Sequence, residues 1–170
     1  MLRPELLHLT MSPALRPATL ADHAAVERLL QAAALPTVGI ATLLAQHAAD
    51  FVVADDPSAP GDVIAVAGLE RCGPRHALLR SVAVHPAWQR HGLARAAVTA
   101  LVAHAESSGV EALYLLTTTA AHYFPRLGFQ PVDRATVPDS IAATEEFTDA
   151  CPATALAMRR VLGATTGQSA

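Results

Sequence analysis

Between residues 77 and 119 two apolar strands flank one long amphipathic helix, and this limits the fold more than any other feature. ALLRSVAV (77–84) has the apolar and β-branched content of a strand and is stopped by Pro86. From Leu93 to Ser107, the residues Leu93, Ala97 and Leu101, with Val98, Val102 and Ala105, recur at helical spacing. Ser108-Gly109 closes that helix. ALYLLTTT (112–119) is nearly all apolar, as a strand buried on both faces must be. Strand, helix and strand in that order imply a parallel crossover, right-handed by rule. An α/β protein with at least one parallel strand pair is expected.

The rest of the chain builds around that unit. PALRPAT (13–19) reads as a short strand. Thr19 with Asp22 three residues on resembles a capping box, and Val26, Leu29 and Leu30 form the inner face of the helix that follows, to Leu35-Pro36. A second helix over Val38–Ala48 turns Ile40, Leu43 and Leu44 inward. FVVA (51–54) and VIAVAGLE (63–70) form a hairpin across DDPSAPGD, and CGPRH (72–76) is a second turn. Beyond the crossover, AAHYFPRL (120–127) reads as a short helix before Gly128, Pro138 to Phe147 as a helical turn or two, and ATALAMRRVL (153–162) as the last strand. The expected order is β-α-α-β-β-β-α-β-α-(α)-β. One domain is expected over residues 13–162, with a flexible leader over 1–12, in which Met11 is a candidate start, and a flexible tail over 163–170.

Of the 170 residues, 52% are hydrophobic and 16% charged, which supports one sizeable core. No apolar run approaches the roughly 18 residues that span a bilayer, and the charged, Pro-interrupted start is unlike a signal peptide. A cytoplasmic protein without a membrane partner is expected. The formal net charge of −3 argues against generic nucleic-acid binding. Two cysteines, Cys72 and Cys151, are too few for a disulfide framework. No His pair at helical spacing and no C-x-x-C is present, so no metal site is expected. All twelve basic residues are arginine, and Arg71, Arg75, Arg80, Arg90 and Arg95 fall in one 25-residue stretch. Such a cluster suits a small polyanion, although arginine also simply replaces lysine throughout this composition.

HPAWQRHGLARAAV (85–98) gives the cluster a purpose. The first four N–H groups of a helix lack intrahelical partners and sit at the positive end of its dipole. An anion reaches them only past small side chains. Gly92 and Ala94 are small, and Gln89, Arg90 and Arg95 add donors. A plain strand-to-helix turn is the alternative, but the strand, the proline, the basic flank and the long helix all favour a pyrophosphate cradle over Gln89–Ala94. There is no lysine for a G-x-x-x-x-G-K-[ST] loop and no G-x-G-x-x-G after a strand.

Q-x-x-G-x-A at this place resembles the acyl-CoA loop of the Gcn5-related N-acetyltransferases, the GNAT superfamily. The resemblance runs from about Pro13 to Leu162 and includes LRPAT, ALLRSVAVHPAWQRHGLARAAV, AESSGVEALYLLTTTA and YFPRLGF. LLRSVAV, LYLLTTTA, RLGFQPVDR and CPATALAM are similar to the arsenic-resistance N-acetyltransferase subgroup. The resemblance implies a single-domain fold with a mixed, mostly antiparallel sheet, flanking helices, and fourth and fifth strands that splay apart. It implies acetyl-CoA as co-substrate, with the pantetheine arm along Val82, Ala83 and Val84 and the pyrophosphate on the N–H groups around Arg90, His91, Gly92, Leu93 and Ala94. A backbone N–H near Ala83 would stabilise charge developing on the thioester oxygen, and a neutral amine would attack directly. Homodimers are common in the superfamily, so a homodimer is a candidate state.

The catalytic positions depart from the family pattern. Leu78 and Leu116 stand where a glutamate base is usual, and Phe124 stands where the acid tyrosine of Y-x-x-x-G-F is usual. Tyr123, one residue earlier, would point roughly 100° away on a helix. Glu70, at the end of the third strand, is a candidate base through a water, or a solvated strand-end carboxylate. Arg80 and Ser81 are expected on opposite faces of their strand; Arg80 either binds a substrate carboxylate or pairs with Glu70. Thr117 to Thr119 are substrate-orienting candidates or ordinary strand residues. His85 and His122 read as surface histidines. Cys151 with Cys72 is a weak candidate for a soft metalloid, against incidental thiols. The expectation is N-acetylation of a small primary amine, amino-acid-like or arsenic-containing. The alternatives are an acyl-CoA sensor without catalysis and a metalloid-binding accessory protein using Cys151.

Overall fold

The computed structural model describes residues 13–163. The expected leader, and the tail beyond its first residue, lie outside the described residues. The elements are β1 (Leu15–Pro17), α1 (His23–Ala32), α2 (Ile40–His47), β2 (Phe51–Asp55), β3 (Val63–Arg71), β4 (His76–Val84), α3 (Leu93–Ser107), β5 (Ala112–Thr117), β6 (Gln130–Val132), α4 (Asp139–Ala142) and β7 (Leu156–Val161). No helix among them is long and apolar enough to cross a membrane.

The seven strands form one sheet in the order β1-β2-β3-β4-β5-β7-β6. Every pairing is antiparallel except β4 with β5, the two strands joined through α3. The expected α/β fold with a mixed, mostly antiparallel sheet is therefore present. Helix α3 has the predicted bounds and buries the predicted face: Leu93, Ala97, Val98, Leu101, Val102 and Ala105. That face meets Leu69, Leu79, Leu113, Leu115, Phe129 and Met158 on one side of the sheet. Full burial of each such aliphatic side chain stabilises by about 1.5–3 kcal/mol. On the opposite side Val26, Leu29 and Leu30 of α1 and Ile40 and Leu44 of α2 pack on Phe51, Val53 and Val66. Farther along that side, Ile141 of α4 and Phe147 cover Leu78 and Tyr114.

Several boundaries differ from the sequence reading. The first helix begins with a 3-10 turn at Leu20–Asp22, where the Thr19 N–H donates to the Asp22 carboxylate at 2.8 Å. The expected helix at 120–127 is reduced to a 3-10 turn over Phe124–Leu127, because Pro125 supplies no N–H to a longer one. Strand β6 was absent from the expected order. It is three residues long and contains Pro131, so neither length nor composition marked it as a strand. The region from Pro138 divides into α4 and a single π-helical turn, Glu146–Ala150.

Candidate active site

Strands β4 and β5 are paired over three positions, His76, Ala77 and Leu78 against Ala112, Leu113 and Tyr114. From Leu79 onward β4 has no partner on that side, while β5 stays paired with β7 as far as Thr117. The strands part there and open a cleft of about 1010 Å³. Its walls include Leu79 to Val84 on β4, Leu115 to Thr117 on β5, the turn after α1, the loop before α3 and the segment Glu146 to Pro152.

A bulge lies beside this cleft, between β3 and β4. Val66 faces Ala83 and Gly68 faces Arg80, so Ala67 on β3 is opposed by both Ser81 and Val82 on β4. Ser81 takes the extra residue with φ +58°, a conformation that costs a non-glycine residue about 1–2 kcal/mol. Arg80 and Ser81 both border the cleft, as do their neighbours from Leu79 to Val84. Ser81 is buried, and its hydroxyl has no hydrogen-bond partner among the described residues.

At one end of the cleft lies the loop before α3. Arg90 has φ +67° and Gly92, the N-cap residue, φ +76°. Two left-handed residues thus stand within three positions of each other just before α3. A Cβ placed on Gly92 would meet nothing within 4 Å, so the approach to the helix end is open. Buried Leu93 anchors the loop to the core, and Gln89, Arg90, Gly92, Ala94 and Arg95 line the cleft. His91 is not on the wall: its Nδ1 lies 2.9 Å from the Gln89 carbonyl and its ring leans on Trp88.

At the other end lies Arg80, whose side chain is 1% exposed. Nη1 donates to Glu70 Oε2 at 2.6 Å, and Nη2 donates to the Val38 carbonyl at 2.7 Å. Nε is 3.3 Å from Glu146 Oε1 and makes no hydrogen bond. Of the two roles open to Arg80, pairing with Glu70 is the one present, and both terminal nitrogens are engaged.

Residues 33–129 match the family model described as "Acetyltransferase (GNAT) family". The chain belongs to that family. Amino-acid acetyltransferase from Escherichia coli K12 is 37% identical over 59 residues, 35% of this chain but 13% of that protein. The structure of Rv2747 from Mycobacterium tuberculosis, in complex with CoA and NLQ, superposes with a TM-score of 0.74 at 26% identity, covering 89% of this chain and all (100%) of that one. N-acetylglutamate synthase from Neisseria gonorrhoeae, in complex with coenzyme A and L-arginine, gives 0.70 at 19% identity, over 88% of this chain and 33% of that one. The ribosomal-protein-S18-alanine N-acetyltransferase from Escherichia coli gives 0.66 at 20%, over 94% and 99%. The chain thus spans only 13% of the length of the amino-acid acetyltransferase, its curated relative, while it matches the CoA-bound Rv2747 structure over nearly all of its own.

The cleft of this GNAT-family protein gathers Arg80, Ser81, Tyr123 and, apart from His91, every residue expected to hold the cofactor. Glu70 stands behind Arg80 and is not on the wall. Leu78 is fully buried against Phe147 and Ile141, whereas Leu116 borders the cleft. Tyr123 reaches the wall despite its displaced position in the motif, because the segment before Phe124 is no regular helix. Burial pushes its phenol up, with Arg95 pulling the other way. Cys72 is buried with its thiol pushed up to about 11, chiefly by desolvation, and is not on the wall; Cys151 is. Among the described residues no group of three or more His, Cys, Asp or Glu could hold a metal ion.

Sequence reading missed Glu146. It is 5% exposed and is the one Asp or Glu on the cleft wall among the described residues. Burial raises its carboxyl above the ordinary glutamate range; Arg80 opposes the rise and Glu70 adds to it. The signal available was slight: Glu145-Glu146 beside Phe147 in a stretch that also carries Asp139 and Asp149.

Proposed function

We propose that this enzyme transfers the acetyl group of acetyl-CoA to the nitrogen of a small primary amine. One observation carries the reading: a single cleft joins the open N-terminus of α3 to the unpaired main chain of β4 and ends at a buried carboxylate. The N–H groups from Arg90 to Ala94, with the Arg90 and Arg95 guanidinia, would hold the pyrophosphate. Val82, Ala83 and Val84 would hydrogen-bond the pantetheine arm as an added strand would. Bound there, acetyl-CoA supplies an activated acyl carbon and a thiol leaving group. A backbone N–H near Ala83 stands ready for the negative charge that grows on the carbonyl oxygen. Tyr123, kept protonated by burial, is the donor for the departing sulfur. Arg80 positions its neighbours and does not anchor substrate.

An amino-acid-like acceptor is supported by the names of the related enzymes. An arsenic-containing one is not supported by a cysteine pair, since Cys72, in the turn after β3, is buried with Leu78, Ala112 and Tyr114 and does not line the cleft. Calorimetry with CoA and acetyl-CoA, followed by thiol release with α-amino acids, simple alkylamines and arsenic-containing amino acids, tests the reading. Saturable CoA binding with turnover on at least one amine is expected. Binding without turnover on any of them would make the chain an acyl-CoA sensor, and no binding would remove the reading entirely.

A further inference from the structure

We propose that Glu146 takes the proton from the incoming amine, so that the acceptor enters as a primary ammonium ion and Arg80 holds the carboxylate that receives it. The proposal rests on the acetyltransferase reading above and adds its missing base.

Position is the first argument. The strand sites where this family keeps a glutamate carry Leu78 and Leu116, so the base must come from elsewhere. Among the described residues, Glu146 is the only carboxylate on the cleft wall, and no histidine lines it. Tyr123 and Cys151 line it too, but burial pushes both up, so each stays protonated near neutral pH. Glu70 is turned away and bonded to Arg80.

Presentation is the second. Glu146 sits in the π-helical turn after α4, with no hydrogen bond donated to its carboxylate among the described residues. Arg80 Nε lies 3.3 Å away without a bond, so the carboxylate is held by charge and keeps its lone pairs for another donor. A π turn inserted beside a cleft is a common way of re-aiming one side chain.

Charge is the third. Glu70, Arg80 and Glu146 carry two negative charges and one positive, with side chains 22%, 1% and 6% exposed. A cation completes that cluster. The charged and titratable groups facing Glu146 are Arg80 from β4, Glu70 from β3 and Cys151 just beyond its own turn.

The step balances as follows. The ammonium passes one proton to Glu146 Oε and becomes a neutral amine. Its lone pair forms the C–N bond to the acetyl carbon, and the C–S bond breaks with its electron pair going to sulfur. Tyr123 protonates the sulfur and regains a proton from the acylated nitrogen. Glu146 then returns its proton to water.

The test compares two acceptors at pH 7.5. n-Butylamine is protonated there, as a lysine side chain is; methoxyamine is already neutral and needs no base. In Glu146→Gln, kcat/KM for butylamine should fall at least 100-fold, the ordinary worth of a general base. For methoxyamine it should fall less than fivefold, with CoA affinity unchanged by calorimetry. Glu146→Asp keeps the charge but withdraws it by one methylene. It provides an independent reading should the Gln variant not fold, and its butylamine-to-methoxyamine ratio should fall at least tenfold. An unchanged ratio in either folded variant overturns the assignment. So does wild-type enzyme that binds CoA yet acetylates only methoxyamine, or neither amine. Failure of the wild type to bind CoA would instead strike the acetyltransferase reading itself.

Discussion

Arg80 Nη2 donates a 2.7 Å hydrogen bond to the carbonyl of Val38, which lies 42 positions earlier in the chain. With Glu70 on Nη1 and Glu146 beside Nε, one buried guanidinium ties three separate segments to the cleft. Arg80→Gln leaves two carboxylates facing each other, their side chains 22% and 6% exposed. Breaking a buried pair from one side costs about 3–5 kcal/mol. Denaturant unfolding should show a loss of that size, and turnover should fall even at temperatures where the variant is fully folded.

Gly92→Glu should abolish CoA binding and leave the fold intact. The new side chain points into open space but carries a negative charge into the proposed anion site and bears a φ of +76°. The strain costs about 1–2 kcal/mol, too little to unfold a domain of this size. Calorimetry against CoA, beside a circular dichroism melt, separates the two effects. Unchanged affinity would refute the cradle.

Tyr123→Phe removes the proposed proton donor and keeps the ring that stands edge-on to Phe124 at 5.5 Å. We expect kcat to drop by about 100-fold, with CoA affinity and thermal stability unmoved. A drop below threefold would exclude Tyr123 as the acid.

Gly68→Ala should be among the most destabilising small substitutions in the sheet. A Cβ there would fall 2.0 Å from the Phe51 ring, which is fully buried and unable to withdraw. Overpacking of this kind costs about 1–3 kcal/mol. Gly68 also faces Arg80 across the bulge, so the cleft should loosen with it. A midpoint shift in urea, with reduced CoA affinity, checks both.

Acid should unfold the protein through two carboxylates. Hydrogen bonds from Arg16 hold Asp22 below the ordinary aspartate range. Desolvation raises Asp50, but the bonds from Arg71 and His104 outweigh it and leave it lowered. A lowered folded-state pKa means the unfolded chain binds the proton first. Each carboxylate's stabilisation is therefore full above about pH 4 and is lost as pH falls through the lower, folded value. Glu146, raised by burial, acts in the opposite sense. Melting temperature should be steady from neutral pH to about 5 and fall below 4, and Asp50→Asn should flatten that fall while costing about 1–3 kcal/mol at neutral pH.

By itself, the sequence determined the elements that local chemistry specifies and the loop proposed to bind a phosphate. Helix α3 is legible because its apolar period runs through fifteen residues with Gly92 just before them and Gly109 just after. The cradle is legible because Gly92, Ala94 and their arginines are neighbours in the chain. Neither feature needs the rest of the molecule to be recognised.

What only the tertiary structure decided is the acceptor end of the cleft. Arg80, Glu70, Val38 and Glu146 lie far apart in sequence, and no local pattern links them. Arg80 lies beside a bulge at Ser81, where the register of the ladder against β3 shifts. Glu146 looks like one more surface glutamate in a polar stretch. It becomes a candidate base only because α4 and the π turn fold it under the sheet, where burial and a guanidinium 3.3 Å away give its charge a consequence.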